Sequence, residues 1–160
     1  MREDIQSLNE RIVCLDKEIA ALSSQQAAYR HLLTIPGIGP LIAAAFISEV
    51  DAVQFSNGRE LSAWCGLVPR QHSSGGKQRL SSVTKNGNRS LRTLIIHCAR
   101  SVMRCVKKRD DNLGLWLKRL EARRGFLKTT VALANKLTRI IWRILTDGVD
   151  FNMNKAFAVS

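Results

Sequence analysis

The stretch LLTIPGIGPLIAAAFISEV, residues 32–50, decides how this chain is read. An apolar run enters Pro36-Gly37-Ile38-Gly39, and a second apolar run starts at Pro40. Proline suits a first helical position, and glycine supplies the conformations a tight turn needs. The pattern therefore predicts two helices joined by a short break, and it sets the expectation of a mainly α fold.

The same break has the spacing of a helix-hairpin-helix-like unit. In such a unit the glycines let the backbone approach a phosphate. The N–H groups that open the following helix then favour the anion. Gly37, Ile38 and Gly39 are accordingly candidate nucleic-acid-binding residues. The competing reading is a plain connection between two core helices.

N-terminal to this unit, Ile5, Leu8, Ile12, Leu15, Ile19 and Leu22 alternate spacings of three and four. With Ile5 at position a, every a is Ile and every d is Leu, a choice that favours a parallel two-stranded coiled coil. Arg11 then falls at g and Asp16 at the e position it meets on a partner. Residues 1–31 are expected to form a coiled-coil helix, with a homodimer through residues 5–22. The competing reading is one amphipathic helix packed on its own domain.

C-terminal to the unit, Ser56 or Asn57 is positioned to cap a short helix that contains Trp64, which is expected in the core. The helical period is lost over residues 67–84. Ser73-Ser74-Gly75-Gly76 separates two short stretches able to pair as a β-hairpin. Lys85-Asn86-Gly87-Asn88 is a second turn, and Asn88 can cap the helix of residues 89–106. Its expected apolar face holds Leu91, Leu94, Ile95, Cys98, Val102 and Cys105. His97 has no matched metal partner and is taken as structural. Two further helices follow on either side of Gly125, the last with a stripe of Leu133, Leu137, Ile140, Ile141 and Ile144. Residues 32–146 are read as one domain, and residues 147–160 as a loosely ordered tail.

The formal net charge is +12, which points to a polyanionic partner. The charge is unevenly placed. From Leu61 to Arg109 there is no acidic residue but eleven cations. Nucleic acid is the favoured partner, ahead of an anionic membrane surface. No apolar run is long enough to cross a bilayer. Cys14, Cys65, Cys98 and Cys105 lack metal-finger spacing and a preceding secretory signal. They read as reduced, half-buried thiols of a cytoplasmic protein, with no structural zinc.

The stretch QHSSGGKQRL, residues 71–80, carries the candidate chemistry. Its Gly-Gly-Lys lacks the strand, spacing and following hydroxyl of a P-loop. His72 beside Ser73 is no catalytic pair, because neighbours on a strand face opposite ways. Paired carboxylates, which two-metal phosphodiester chemistry needs, are missing from the middle of the chain. Glu49 and Asp51 come nearest, and helix-end solvation suits them better. What the loop does have is cations: Lys77, Arg79, Lys85, Arg89 and Arg92 lie within twenty residues of Ser74. Arginine matches phosphate oxygens. A serine among them can attack a DNA phosphate, or the loop can simply touch the backbone. Composition alone favours the second.

The segments IPGIGPLIAAAFISEV and FSNGRELSAWCGLVPRQHSSGGKQRLSSVTKNGNRSLRTLIIHCARSV add to this. They carry PGIG, a GLVP segment, SSGG, a K-x-G-N turn and an R-x-L helix in that order. This combination, with the coiled-coil helix, resembles the C-terminal half of DEDD transposases of bacterial insertion sequences, the bridge-RNA-guided serine recombinases. The resemblance spans about residues 1–145. It implies a nucleophilic serine in a serine-glycine context, here Ser74, with Ser73 the alternative. It also implies DNA and a guide RNA as partners and a bacterial, nucleoid-associated location; Lys77, Arg79, Lys85, Arg89 and Arg92 stay candidate phosphate contacts on their charge and placement alone. The family's RuvC-like first half binds Mg2+ through Asp and Glu. No RuvC-like strand pattern precedes the coiled-coil helix, so a chain without that domain and without a cofactor of its own is expected. The other function class in view is a non-catalytic, dimeric nucleic-acid-binding module.

Overall fold

The computed structural model describes residues 1–74 and 77–158, with the side chains of residues 71–81 left aside. The fold is mainly α, as expected, with one two-stranded sheet among the described residues. In order the elements are α1 (Arg2–Ser23), α2 (Ala27–Leu33), α3 (Pro40–Glu49), α4 (Gly58–Trp64), β1 (Pro69–Ser74), β2 (Lys77–Val83), α5 (Arg89–Arg104), α6 (Asn112–Arg124), α7 (Phe126–Asp147) and α8 (Met153–Ala156). Short 3-10 turns fill Ala52–Gln54 and Val106–Lys108.

The core forms around α7, which packs against α2, α4, α5 and α6. Its stripe of Leu133, Leu137, Ile141 and Ile144 is buried, as periodicity predicts. Buried Thr129, Thr130 and Thr138 satisfy their hydroxyls on the carbonyls of Gly125, Phe126 and Ala134, one turn back. Opposite, α5 buries Leu91, Ile95, Cys98, Ala99, Val102 and Met103. Cys105, expected on that face, is exposed, because α5 ends at Arg104 and Cys105 caps it.

α1 does not reach residue 31. It stops at Ser23, where Ser24 turns its hydroxyl onto the carbonyl of Ala21. The chain re-enters a helix only at Ala27. Residues 1–18 are exposed throughout, and Ile5, Leu8, Ile12 and Leu15 each show more than half of their surface. The C-terminal half of α1 approaches α3: Val13, Ile19 and Ala20 line a groove with Pro40 and Leu41.

The segment 147–160, expected to be loose, is tied down over its described part. Gly148 closes α7 in the left-handed conformation. The Phe151 N–H donates to Thr34 Oγ1 at 2.9 Å, and Asp150 meets His31 at 2.7 Å. Phe157 is only 1% exposed and packs against Trp116. Burying that ring offsets the cost of ordering the short α8. Among the described residues no helix is long and apolar enough to cross a membrane.

Candidate nucleic-acid interface

The hairpin stands on a joint built from three backbone segments. α4 ends at Trp64 and turns through Gly66, whose φ is +71°. The turn of residues 85–88 then folds back onto it. Lys85 N–H donates to Gly66 O at 3.1 Å, Asn88 N–H to Trp64 O at 3.0 Å, and Thr84 N–H to Val68 O at 2.9 Å. The fit requires glycine. At Gly87 the φ is +124°, and a Cβ there falls 1.9 Å from Trp64 O; at Gly66 it falls 2.6 Å from Asn86 O.

The helix that leaves this joint is capped as its sequence predicts. Asn88 Oδ1 accepts from Leu91 N–H at 3.0 Å, and its Nδ2 donates to Glu49 Oε2 at 2.6 Å. Asn57 does the same for α4, accepting from the N–H groups of Arg59 and Glu60. Of the two residues expected at that cap, Asn57 is the one that acts. Two arginines of the basic span donate to backbone carbonyls: the half-buried Arg92 through Nη1 to Cys65 O at 3.1 Å, and the exposed Arg70 through Nη2 to Thr84 O at 3.1 Å. Burial pushes the Cys65 thiol up to about 12, against the opposing charge of Arg92. Arg92 is thus in part a brace between α5 and α4, whereas Lys85 and Arg89 are exposed.

The strand register pairs Ser74 with Lys77, Ser73 with Gln78 and His72 with Arg79. Both candidate serines therefore sit at the far end of the stem. The side chains of Ser73, Ser74, Lys77 and Arg79 lie outside the described residues.

The Pro-Gly-Ile-Gly turn is brought to the other end of α5. α3 runs antiparallel to α5, with Glu49 at Asn88 and the preceding turn at Cys98 and Val102. At 1.5 Å per residue the turn and the hairpin base are about 15–20 Å apart along α5. Gly37 has φ +88°, and a Cβ on it meets Val102 Cγ2 at 2.5 Å. A packing requirement for that glycine thus stands beside any phosphate contact. Ile38 is 6% exposed, so its side chain belongs to the core. Gly39 precedes α3 with no atom within 4 Å of its ideal Cβ position.

Glu49 and Asp51, expected to be solvated at helix ends, are engaged by protein donors. Glu49 takes Asn88, and Asp51 accepts from Val53 N–H and Gln54 Nε2. Among the described residues no group of three His, Cys, Asp or Glu is arranged to hold a metal. Trp64, expected in the core, is 39% exposed and meets Phe55 edge-on at 5.7 Å between ring centroids. His97 is exposed on α5. The cations of α7 escaped the sequence reading, although Lys136, Arg139 and Arg143 already sit at helical spacing.

Residues 29–113, more than half of the chain, match the family described as Transposase IS116/IS110/IS902 family. A probable family 20 transposase of Pseudomonas aeruginosa is 45% identical over 91% of this chain and 44% of its own length. The transposase for insertion sequence element IS1111A of Coxiella burnetii is 46% identical over 86% of this chain and 38% of its own. The transposase for element IS1328 of Yersinia enterocolitica is 35% identical over 91% and 44%. The chain spans about two fifths of the length of these curated relatives. The matched region runs from α2 into the start of α6 and contains both the glycine turn and the hairpin: the chain belongs to the IS116/IS110/IS902 transposase family.

Proposed function

We propose that this chain is the DNA-binding, serine-bearing part of an insertion-sequence transposase, acting with a guide RNA in the bacterial cytoplasm. One observation carries the reading. The hairpin that bears Ser73 and Ser74 rises from a glycine-locked joint within a span of eleven cations and no carboxylate. In this reading Ser74 Oγ attacks the phosphorus of a DNA phosphodiester. The new serine–phosphate bond replaces the bond to one deoxyribose oxygen, which leaves as an alkoxide and takes up a proton. The phosphodiester count is unchanged, so attack by another DNA hydroxyl reverses the link and joins new strands. Lys77 and Arg79 neutralise the charge on the equatorial oxygens. Lys85 and Arg89, exposed at the N-terminal end of α5, hold flanking phosphates together with its dipole. Gly39 offers a backbone approach for a second stretch of duplex.

Covalent capture tests this. The chain is incubated with insertion-element DNA, guide RNA and a RuvC-like domain supplied in trans. A protein–DNA adduct is expected for the wild type and not for Ser74→Ala. Loss in Ser73→Ala instead moves the role to Ser73. Loss in neither variant rejects serine chemistry, and no adduct in any mixture supports the non-catalytic binding module.

The exposed Ile and Leu stripe of α1 favours a homodimer through residues 5–22. Replacing Ile12 and Leu15 with Lys halves the solution mass if the arm dimerises. An unchanged mass removes it from the interface.

A further inference from the structure

The proposed serine face leaves the exposed edge of α7 without a role, and that edge carries an organised positive charge. Lys136, Arg139 and Arg143 recur at spacings of three and four on α7, and Arg59 of α4 stands beside them around a cleft of about 570 Å³. Asn57 and Trp142 complete its walls. The cleft is rigid. The backbone of Gly58 packs so closely on Arg139 that an added Cβ lies 3.0 Å from the Arg139 Cα. Trp142 Nε1 donates to the carbonyls of both Ala52 and Phe55.

Few carboxylates answer these cations. Arg143 pairs with Asp147 one turn on. Glu60 is spent on Ser56 N–H and Asn57 Nδ2. Arg59, Lys136 and Arg139 form no ion pair among the described residues. Lys136 lies over the rings of Trp116 and Phe157, 5.1 and 4.6 Å from their centroids. Burial first, and the charge of Arg139 second, hold its pKa below the usual lysine range. A lysine crowded in this way gains more than an exposed one when an anion arrives.

The charge also has a direction. Toward the start of α7 a second open groove, about 1020 Å³, lies between Lys128 and the base of the hairpin at Pro69, Val83 and Lys85. Lys128, Lys136, Arg139 and Arg143 thus mark out one edge of the helix. They cover about 22 Å at the helical rise, and the line begins beside the hairpin stem. A single phosphate needs one anchored pocket, whereas a line of spaced cations suits a repeating anion. Arginine forks match phosphate oxygens. A lipid surface suits the charge less well, since the cations wall a concave cleft rather than crown a convex face.

We propose that this edge is a second nucleic-acid-binding surface, a rail on which a phosphodiester backbone runs from the hairpin base along α7 into the Arg59–Arg139 cleft. The proposal rests on nucleic acid being the partner and not on the serine. The test is binding of fluorescent duplex DNA and of single-stranded RNA as a function of salt. The wild type is compared with Arg59→Gln/Arg139→Gln and with a charge-matched control on α1 off the heptad seam, Arg2→Gln/Lys17→Gln. Two lost phosphate contacts reduce the slope of log K against log salt by about 1.8 for duplex or about 1.4 for single strands. The control is expected to keep the wild-type slope. Equal slopes for rail and control variants overturn the rail while leaving nucleic acid as partner. A wild type that binds neither probe overturns both readings. Binding to phosphatidylserine vesicles that the rail variant alone loses, with oligonucleotide binding intact, assigns the cleft to a membrane and rejects the proposal. Should the first variant melt early, Lys128→Gln/Arg143→Gln asks the same question with exposed side chains.

Discussion

Gly87→Ala is the sharpest test of the joint beneath the hairpin. An alanine Cβ there falls 1.9 Å from the carbonyl oxygen of Trp64, and this neighbour is backbone rather than a side chain able to swing away. The substitution also places a non-glycine residue at φ +124°, which costs about 1–3 kcal/mol. To clear the clash, the 85–88 turn must lift off α4. It then loses the bond from Asn88 N–H to Trp64 O, at about 0.5–1.5 kcal/mol. Together these predict a loss of about 2–4 kcal/mol, or about 4–16 °C in Tm for a chain of this size. Gly148→Ala is the control. Its φ is +63° with nothing within 4 Å of the ideal Cβ position, so it pays only the backbone term, about 1 kcal/mol. Thermal melts by circular dichroism read both. Equal losses in the two variants, or a Gly87→Ala protein melting within a degree of wild type, refute the close packing of the joint.

Gly37→Ala, pressed against Val102 Cγ2, is expected to lose about 1–3 kcal/mol. Gly39→Ala, open to solvent, loses only a helix-cap preference of about 0.5–1 kcal/mol. If the turn approaches phosphate, Gly39→Ala weakens DNA binding while remaining folded; unchanged affinity takes the turn out of the interface. Thiol titration with Ellman's reagent should find Cys14 and Cys105 in the native protein. Cys65 and Cys98, pushed up to about 12 by burial, should appear only in denaturant. A native count of four thiols contradicts the packing of α4 and α5. Asp111 caps α6 and is paired with Arg109, which holds its carboxyl below the ordinary 3.8. Its stabilising contribution is therefore present above that value and is lost as pH falls through the folded-state pKa. Asp111→Asn is expected to melt below wild type at neutral pH, with the gap closing in acid; a gap independent of pH discounts the ion pair.

Short-range chemistry was legible in the sequence. Asn57 and Asn88 cap the helices that their positions predict, because a cap is settled within three residues. The hairpin is expected around Ser73-Ser74-Gly75-Gly76, between two stretches without helical period; its strand β1 runs further than that, through Ser74. Long-range contacts were not legible. Nothing local marks Phe157 as a core residue, because its partner Trp116 lies on α6. Arg92 reads as a phosphate ligand until Cys65 O, 27 residues away in sequence, is placed beside it. Trp64 has helical neighbours that fit a core, yet the face it occupies was set by Phe55 and the 85–88 turn. The distance between the glycine turn and the serine hairpin was not legible either, because it is set by the packing of α3 along the length of α5.

The stacking of Lys136 over Trp116 also gives the molecule an optical property. An indole's emission depends on the charges near its ring, and here the Lys136 ammonium lies 5.1 Å from the centroid while its residue lines an open cleft. Drawing that ammonium toward an incoming anion changes the field across the chromophore without any movement of the backbone. The protein therefore carries an intrinsic fluorescent gauge of its own cleft, readable by titration without an added dye.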